Sequence, residues 1–178
     1  MRYILPDNTL VQGDKEFRIG SEGPFVGDRL SVEDRARLNV RPLLEGLQPD
    51  QFYYWVAEVI DYELATATYV GTPKDLAGLK LQIIARVKFE ANTRILNFMP
   101  DWVQRNTLAN GILLLRQKLV ALQEWTPAQL AQIELSDTAW GKVQVIRGHS
   151  NVLEAEIKAC GTVAELEAWK QHDWPVIS

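Results

Sequence analysis

The spacing of hydrophobic positions changes at residue 72. Before it, short apolar runs are broken every few residues by Gly, Pro, Asn or Asp; after it, apolar residues recur every three or four positions. The first pattern predicts strands at Arg2–Leu5, Thr9–Gln12 and Glu16–Ile19, with the glycine-rich stretch Gly20–Gly27 as turn. Ser31 is placed to cap a short helix, Val32–Leu38, whose first turn carries Glu33 and Asp34 where the helix dipole favours negative charge. Extended structure returns at Asn39–Leu44, and Gly46–Asp50 has the composition of a linker. Phe52–Ile60 and Leu64–Val70, rich in β-branched and aromatic residues, predict two strands joined across Asp61–Glu63.

The second pattern predicts helices. Thr72 as N-cap, Pro73 at the first helical position and Asp75 three residues after the cap open one that runs to about Phe98, with Leu76, Leu79, Ile83, Val87 and Ala91 at helical spacing. Pro100 ends it and starts the next, because proline restrains the residue before it but suits a helix entrance. That second helix is read to Leu122. A capping box at Thr126–Gln129 starts a third, which continues to about Gly161 with Gly148 as its weak point. A further capping box, Thr162–Glu165, starts a short helix carrying Leu166 and Trp169 inward. Joints of a few residues favour antiparallel neighbours. The chain is therefore predicted to be α+β: a small β-rich module over residues 1–71, then an antiparallel three-helix bundle with a short terminal helix over 72–178.

Within the second helix, Leu108, Ile112, Leu115, Leu119 and Leu122 alternate between spacings of four and three, a heptad seam shaped to meet another helix. It has two readings, and they are compatible: the seam holds the bundle together from within, or some of it serves self-association or a partner helix. Trp102 and Arg105, three residues apart on the same helix, form either an exposed polar-aromatic contact surface or a packed indole shielded by its arginine. Two of the four aromatics Phe52–Trp55 are expected in a core by strand alternation, leaving one exposed edge.

Charge narrows the class of partner. Residues 1–71 hold seven Lys/Arg against twelve Asp/Glu, and 72–178 hold twelve against eleven, for a formal net charge of −4. Such a balance lacks the basic face that neutralises phosphates, so nucleic acid is not an expected partner. The longest apolar run, Phe52–Ala57, is far below the roughly 20 residues of a membrane span, and Pro6 interrupts any signal-peptide core. A soluble protein made in a cytoplasm is expected, with no membrane partner.

No nucleophile, base and orienting group can be proposed together, so no catalytic residue is assigned and an enzyme is not expected. Cys160, the single cysteine, reads as a small apolar residue. His149 and His172 stand beside no metal-ligand spacing, and Gly20–Gly27 lacks the Lys-Ser/Thr and helix of a phosphate loop; no metal or cofactor is expected. The last residues, Trp174–Ser178, are either a docking tail or a tethered terminus.

Pro100, Trp102, Gln104, Arg105 and Asn106, followed by Trp140, Ile146, Arg147, Ser150, Asn151, Leu153 and Glu154, resemble a segment found in many bacteriophage tail proteins. There, a Pro-x-Trp-x-Gln-Arg-Asn stretch precedes an amphipathic helix and a Trp-bearing helix. Leu30–Leu43 resembles a small module of tail-fibre-associated proteins, and the strand-like region 51–70 departs from the usual layout. The resemblance implies a structural tail component, a connector or hinge between tail fibres and the baseplate or tail tip. It would be present in several copies in the virion after synthesis in the host cytoplasm. The alternative is a tail-fibre assembly chaperone absent from the mature particle. Either role would use Trp102, Arg105, Leu108, Ile112, Leu115, Leu119 and Leu122 as the oligomer or partner interface.

Overall fold

Alternation along the first strand gives the N-terminal unit a pair of small cores. In the computed structural model, which describes residues 1–169 and 173–176, β1 (Arg2–Ile4) pairs antiparallel with β2 (Leu10–Gln12) and with β5 (Arg41–Pro42). Successive strand side chains point to opposite faces. Tyr3 accordingly packs with Leu5, Phe17, Leu38 and Val40, and Ile4 with Leu43, Ala65 and Ala67. His172, weighed above as a metal ligand, and Ile177 and Ser178 of the terminal tail lie outside the described residues.

The first core is closed by the hairpin of β3 (Glu16–Ile19) and β4 (Glu22–Val26), whose Phe17 and Phe25 rings stand 6.0 Å apart. Gly27 leaves room for the Tyr3 ring, since a β-carbon there would lie 2.6 Å from it. Helix α1 (Val32–Arg37) is capped by Ser31, whose hydroxyl accepts from the Asp34 amide at 3.0 Å. The second core lies under a sheet ordered β6-β8-β7, with β6 (Leu44–Glu45) parallel to β8 (Thr66–Pro73) and β7 (Tyr54–Asp61) antiparallel to it. Arg2 ties β1 to this sheet: Nε donates to Glu45 at 2.8 Å and Nη2 to the Tyr69 hydroxyl at 2.9 Å and to Glu58.

The chain divides by contact density at Lys74/Asp75. Beyond it come α2 (Leu76–Phe98), α3 (Asp101–Leu119), α4 (Pro127–Ala159) and α5 (Val163–Ala168). The fold is thus mixed, small β-sheets followed by helices. Helices α2 and α4 run antiparallel. Lys80 Nζ donates to the Lys158 carbonyl at 2.9 Å, Lys88 pairs with Glu154 at 3.0 Å, and Ala91, Ile95 and Met99 pack with Val143 and Ile146. The buried residues of α4, Val143, Ile146, Ser150, Leu153 and Ile157, keep the 3–4 spacing of one helical face. Val163 and Leu166 of α5 are buried, and the Trp169 indole donates to Glu156 at 3.1 Å. Trp174 packs on the α2–α4 cluster with its ring 4.8 Å from that of His149, which tethers the chain at that residue.

Both capping boxes form as the sequence predicts, at Thr126/Gln129 and Thr162/Glu165, and α4 passes through Gly148 without a break. Four expectations are corrected. Thr72 does not cap a helix: it pairs with Trp55 in the sheet, and Asp75 caps α2 by accepting from the Gly78 amide at 2.6 Å. Much of the Gly20–Gly27 turn is strand β4, made possible at Gly23 by φ +118°, a conformation open mainly to glycine. None of Phe52–Trp55 is buried, because residues 51–53 form a turn before β7 begins. The second long helix stops at Leu119, and Leu122, at φ +50°, lies outside it.

Two outcomes follow from this packing. Leu153→Ala removes a fully buried side chain from the α2–α4 contact and should cost about 2–5 kcal/mol in urea unfolding. The Arg2 guanidinium, by hydrogen bond and charge, holds the Glu58 carboxyl below its usual range. A depressed carboxylate stabilises the fold above its unfolded pKa and ceases to as pH falls through the folded one. Arg2→Gln should therefore lower the melting temperature at pH 7 and lower it less at pH 3.

Candidate functional site

Helix α3 has an inward side and a seam, and they are different sides. It begins at Pro100 as N-cap, with Asp101 in its first turn, and Gln104 Nε2 donates back to the Met99 carbonyl at 2.7 Å, fixing the joint with α2. Its half-buried positions are Val103, Gln104, Thr107, Gly111, Leu114 and Lys118. Leu108, Ile112, Leu115 and Leu119 each follow or lie beside this stripe, rotated from it by about 100°. Their exposures are 59%, 58%, 52% and 71%. Trp102 and Leu122 are exposed as well, and so is Arg105. The seam is continuous, apolar and uncovered.

The rest of the helical hairpin does not compensate. No residue from Pro100 to Lys142 is buried, so α3 and the first half of α4 bring no core of their own. Their connection is held by polar and aromatic contacts at the loop end. The Trp125 indole donates to the Leu114 carbonyl at 3.0 Å, Gln129 donates to Gln117 at 3.0 Å, and Lys118 pairs with Glu124. Between the helices runs an apolar groove of about 290 Å³, lined by Leu108, Gly111, Ile112 and Leu115 from α3 and by Ile133, Ser136, Asp137 and Trp140 from α4, with Trp125. A β-carbon built on Gly111 meets nothing within 4 Å, which marks how far α4 stands off.

Part of the set that carries the resemblance comes together elsewhere on this unit, while Trp140 lines the groove. Arg147, Ser150 and Asn151 of α4 share a recess of about 250 Å³ with Asp101 and Gln104 of α3. Ile146 and Leu153 are core, and Glu154 pairs with Lys88 and Lys158, whose hydrogen bonds hold its carboxyl below the usual range. These residues shape the joint at which α2, α3 and α4 meet. Trp102 and Arg105 point away from it into solvent.

The β-rich unit has an uncovered face of its own. On the outward face of β7 and β8, Trp55 pairs with Thr72, Ala57 with Val70 and Val59 with Thr68, without a charge among them. Trp55, Val59 and Val70 are exposed, and the Lys74 ammonium lies 4.5 Å from the Trp55 ring. β7 ends the strand order of its sheet.

Among the described residues, no group of three His, Cys, Asp or Glu is placed to hold a metal, and no helix is long and apolar enough to cross a membrane. Sequence reasoning missed Gly111, Trp125, Ile133, Asp137 and Trp140 as groove residues. The available signal was a glycine amid leucines on a helix and a tryptophan just before a capping box. No family model, curated protein or solved structure matches the chain. Because the Gly111 β-position is open, Gly111→Ala should raise stability by about 1 kcal/mol through helix propensity alone, measurable in chemical denaturation.

Proposed function

We propose that this chain is a structural component of a bacteriophage tail, present in several copies, that connects tail fibres to the baseplate or tail tip through protein–protein contacts. The observation that carries an assembly role is the uncovered seam of α3: Leu108, Ile112, Leu115 and Leu119 are more than half exposed. A contiguous apolar surface of this kind on a soluble chain marks an interaction site. The tail itself is supported by the Pro100–Asn106 and Trp140–Glu154 resemblance. In this reading α2, α3 and α4 form an antiparallel three-helix bundle whose outer seam is completed by assembly, and the uncharged face of β7 and β8 grips a different tail protein. The role needs no catalytic residue, metal, cofactor, nucleic acid or membrane.

Quantitative mass spectrometry of purified virions beside the lysate they came from tests the reading. Recovery at a fixed stoichiometry in the virion is the expected outcome, and Leu115→Asp should abolish incorporation while the free chain stays folded, because Leu115 is not a core residue. Abundance in the lysate with absence from the particle would replace the connector by a transient assembly chaperone. Normal incorporation of Leu115→Asp would remove the seam from the interface.

A further inference from the structure

We infer that the occupant of the α3 seam is a second copy of this chain, laid antiparallel so that two α3–α4 hairpins close into one four-helix bundle. The inference rests on reading the seam as an assembly surface and adds its partner and its geometry. Size is the first argument. The face of α3 with the first half of α4 is about 28 Å long and about two helix diameters wide, so two such faces together cover more than about 1,000 Å², the scale of a stable interface.

Direction follows from charge. If Ile112 and Leu119 are a positions and Leu108 and Leu115 are d positions, Arg105 falls at a and Asp101 at d. A parallel, in-register pair sets each position against itself, so Arg105 meets Arg105 and Asp101 meets Asp101 inside the seam. An antiparallel pair sets a against d. Leu108 then meets Leu119 and Ile112 meets Leu115, giving four apolar layers, and Arg105 falls opposite Leu122, past the end of the other α3, instead of against a second Arg105 within the seam.

The same pairing uses the groove. Like flanking positions face each other in an antiparallel pair, so both α4 helices lie on one side of the two α3 helices and the open groove turns inward to become the bundle core. Within one chain, Trp125 meets Leu114 at the loop end, and Thr107 shares the far end of the groove with Trp140. That spacing brings Asp137, on the groove wall, level with Lys118 of the second copy. Asp137 then faces Lys118, whose ammonium it shares with that copy's own Glu124, where a parallel pair would set no cation level with Asp137.

The test uses the full chain with Cys160→Ser and two further changes, Leu108→Cys and Leu119→Cys. Light scattering of the chain carrying Cys160→Ser alone, with Leu108 and Leu119 intact, is expected to give a dimer at micromolar concentration. Oxidation is expected to link position 108 of one copy to position 119 of the other, read by mass spectrometry of cross-linked peptides. Asp137→Lys, which leaves the monomer fold untouched, should weaken the dimer by about tenfold. Links of 108 to 108 and 119 to 119 would overturn the antiparallel pairing, and a monomer at all concentrations would overturn the second copy. A monomer still found in virions would leave the connector reading standing with a different partner at the seam. A dimer missing from virions would leave the pairing standing and remove the connector.

Discussion

The helical unit depends on one mismatch of length. Helix α4 has 33 residues and α2 has 23, about 50 Å against about 35 Å; α2 buries α4 fully only from Val143 onward, and its contact ends with the half-buried Ala139 and Trp140. The remaining half of α4 needs another neighbour, and α3 is the element the chain supplies. Its half-buried side carries Thr107, Gly111 and Lys118 beside Val103 and Leu114, while Leu108, Ile112 and Leu115 stand at the rim of the groove more than half exposed. At Gly111 no side chain reaches across to α4, and the apolar groove stays open there. Ordering the stretch from Pro100 to Lys142 costs conformational entropy with no buried residue to offset it. In the proposed pairing, the second copy laid over the seam would supply the missing burial.

This accounts for how different the contacts in the two halves of α4 are. Toward its C-terminus, buried side chains at helical spacing, the Lys88–Glu154–Lys158 pairs and the Trp169–Glu156 hydrogen bond lock the helix in place. Toward its N-terminus, a capping box and the Trp125, Gln129 and Lys118 contacts hold the loop end, and between these and the half-buried Ala139 and Trp140 the groove is open. Rigid attachment at one end and an unfilled face at the other are what a subunit needs if assembly is to finish its packing. The β-rich unit repeats the arrangement on a smaller scale: Arg2 fastens β1 to Glu45, Glu58 and Tyr69, while the opposite face of β7 and β8 stays uncharged and open.

Local chemistry was the most legible aspect of the sequence. Caps at Ser31, Thr126 and Thr162 and the break at Pro100 depend on neighbours within four residues, and the helices start where those residues place them. Tertiary pairing decided the exceptions. Thr72 and Asp75 are both good N-caps three residues apart, and cross-strand pairing with Trp55 settles the choice in favour of Asp75. The β4 strand was hidden because Gly23 and Pro24 read as turn, and the early end of α3 because Leu122 keeps heptad spacing although its φ is +50°. The seam residues could be named from spacing, but not which way they face. A heptad has the same period whether its partner is in the chain or outside it, and only the position of Gly111 and Thr107, one step round the helix, fixes the orientation.

Hydrogen–deuterium exchange of the whole chain at several concentrations addresses most directly the claim that α3 draws its stability from association. Amides of α3 should become more protected as concentration rises from nanomolar to tens of micromolar, while those of Val143–Ile157 stay equally protected throughout. Strong protection of α3 that is independent of concentration would show that the helix is stable by itself and would contradict the account.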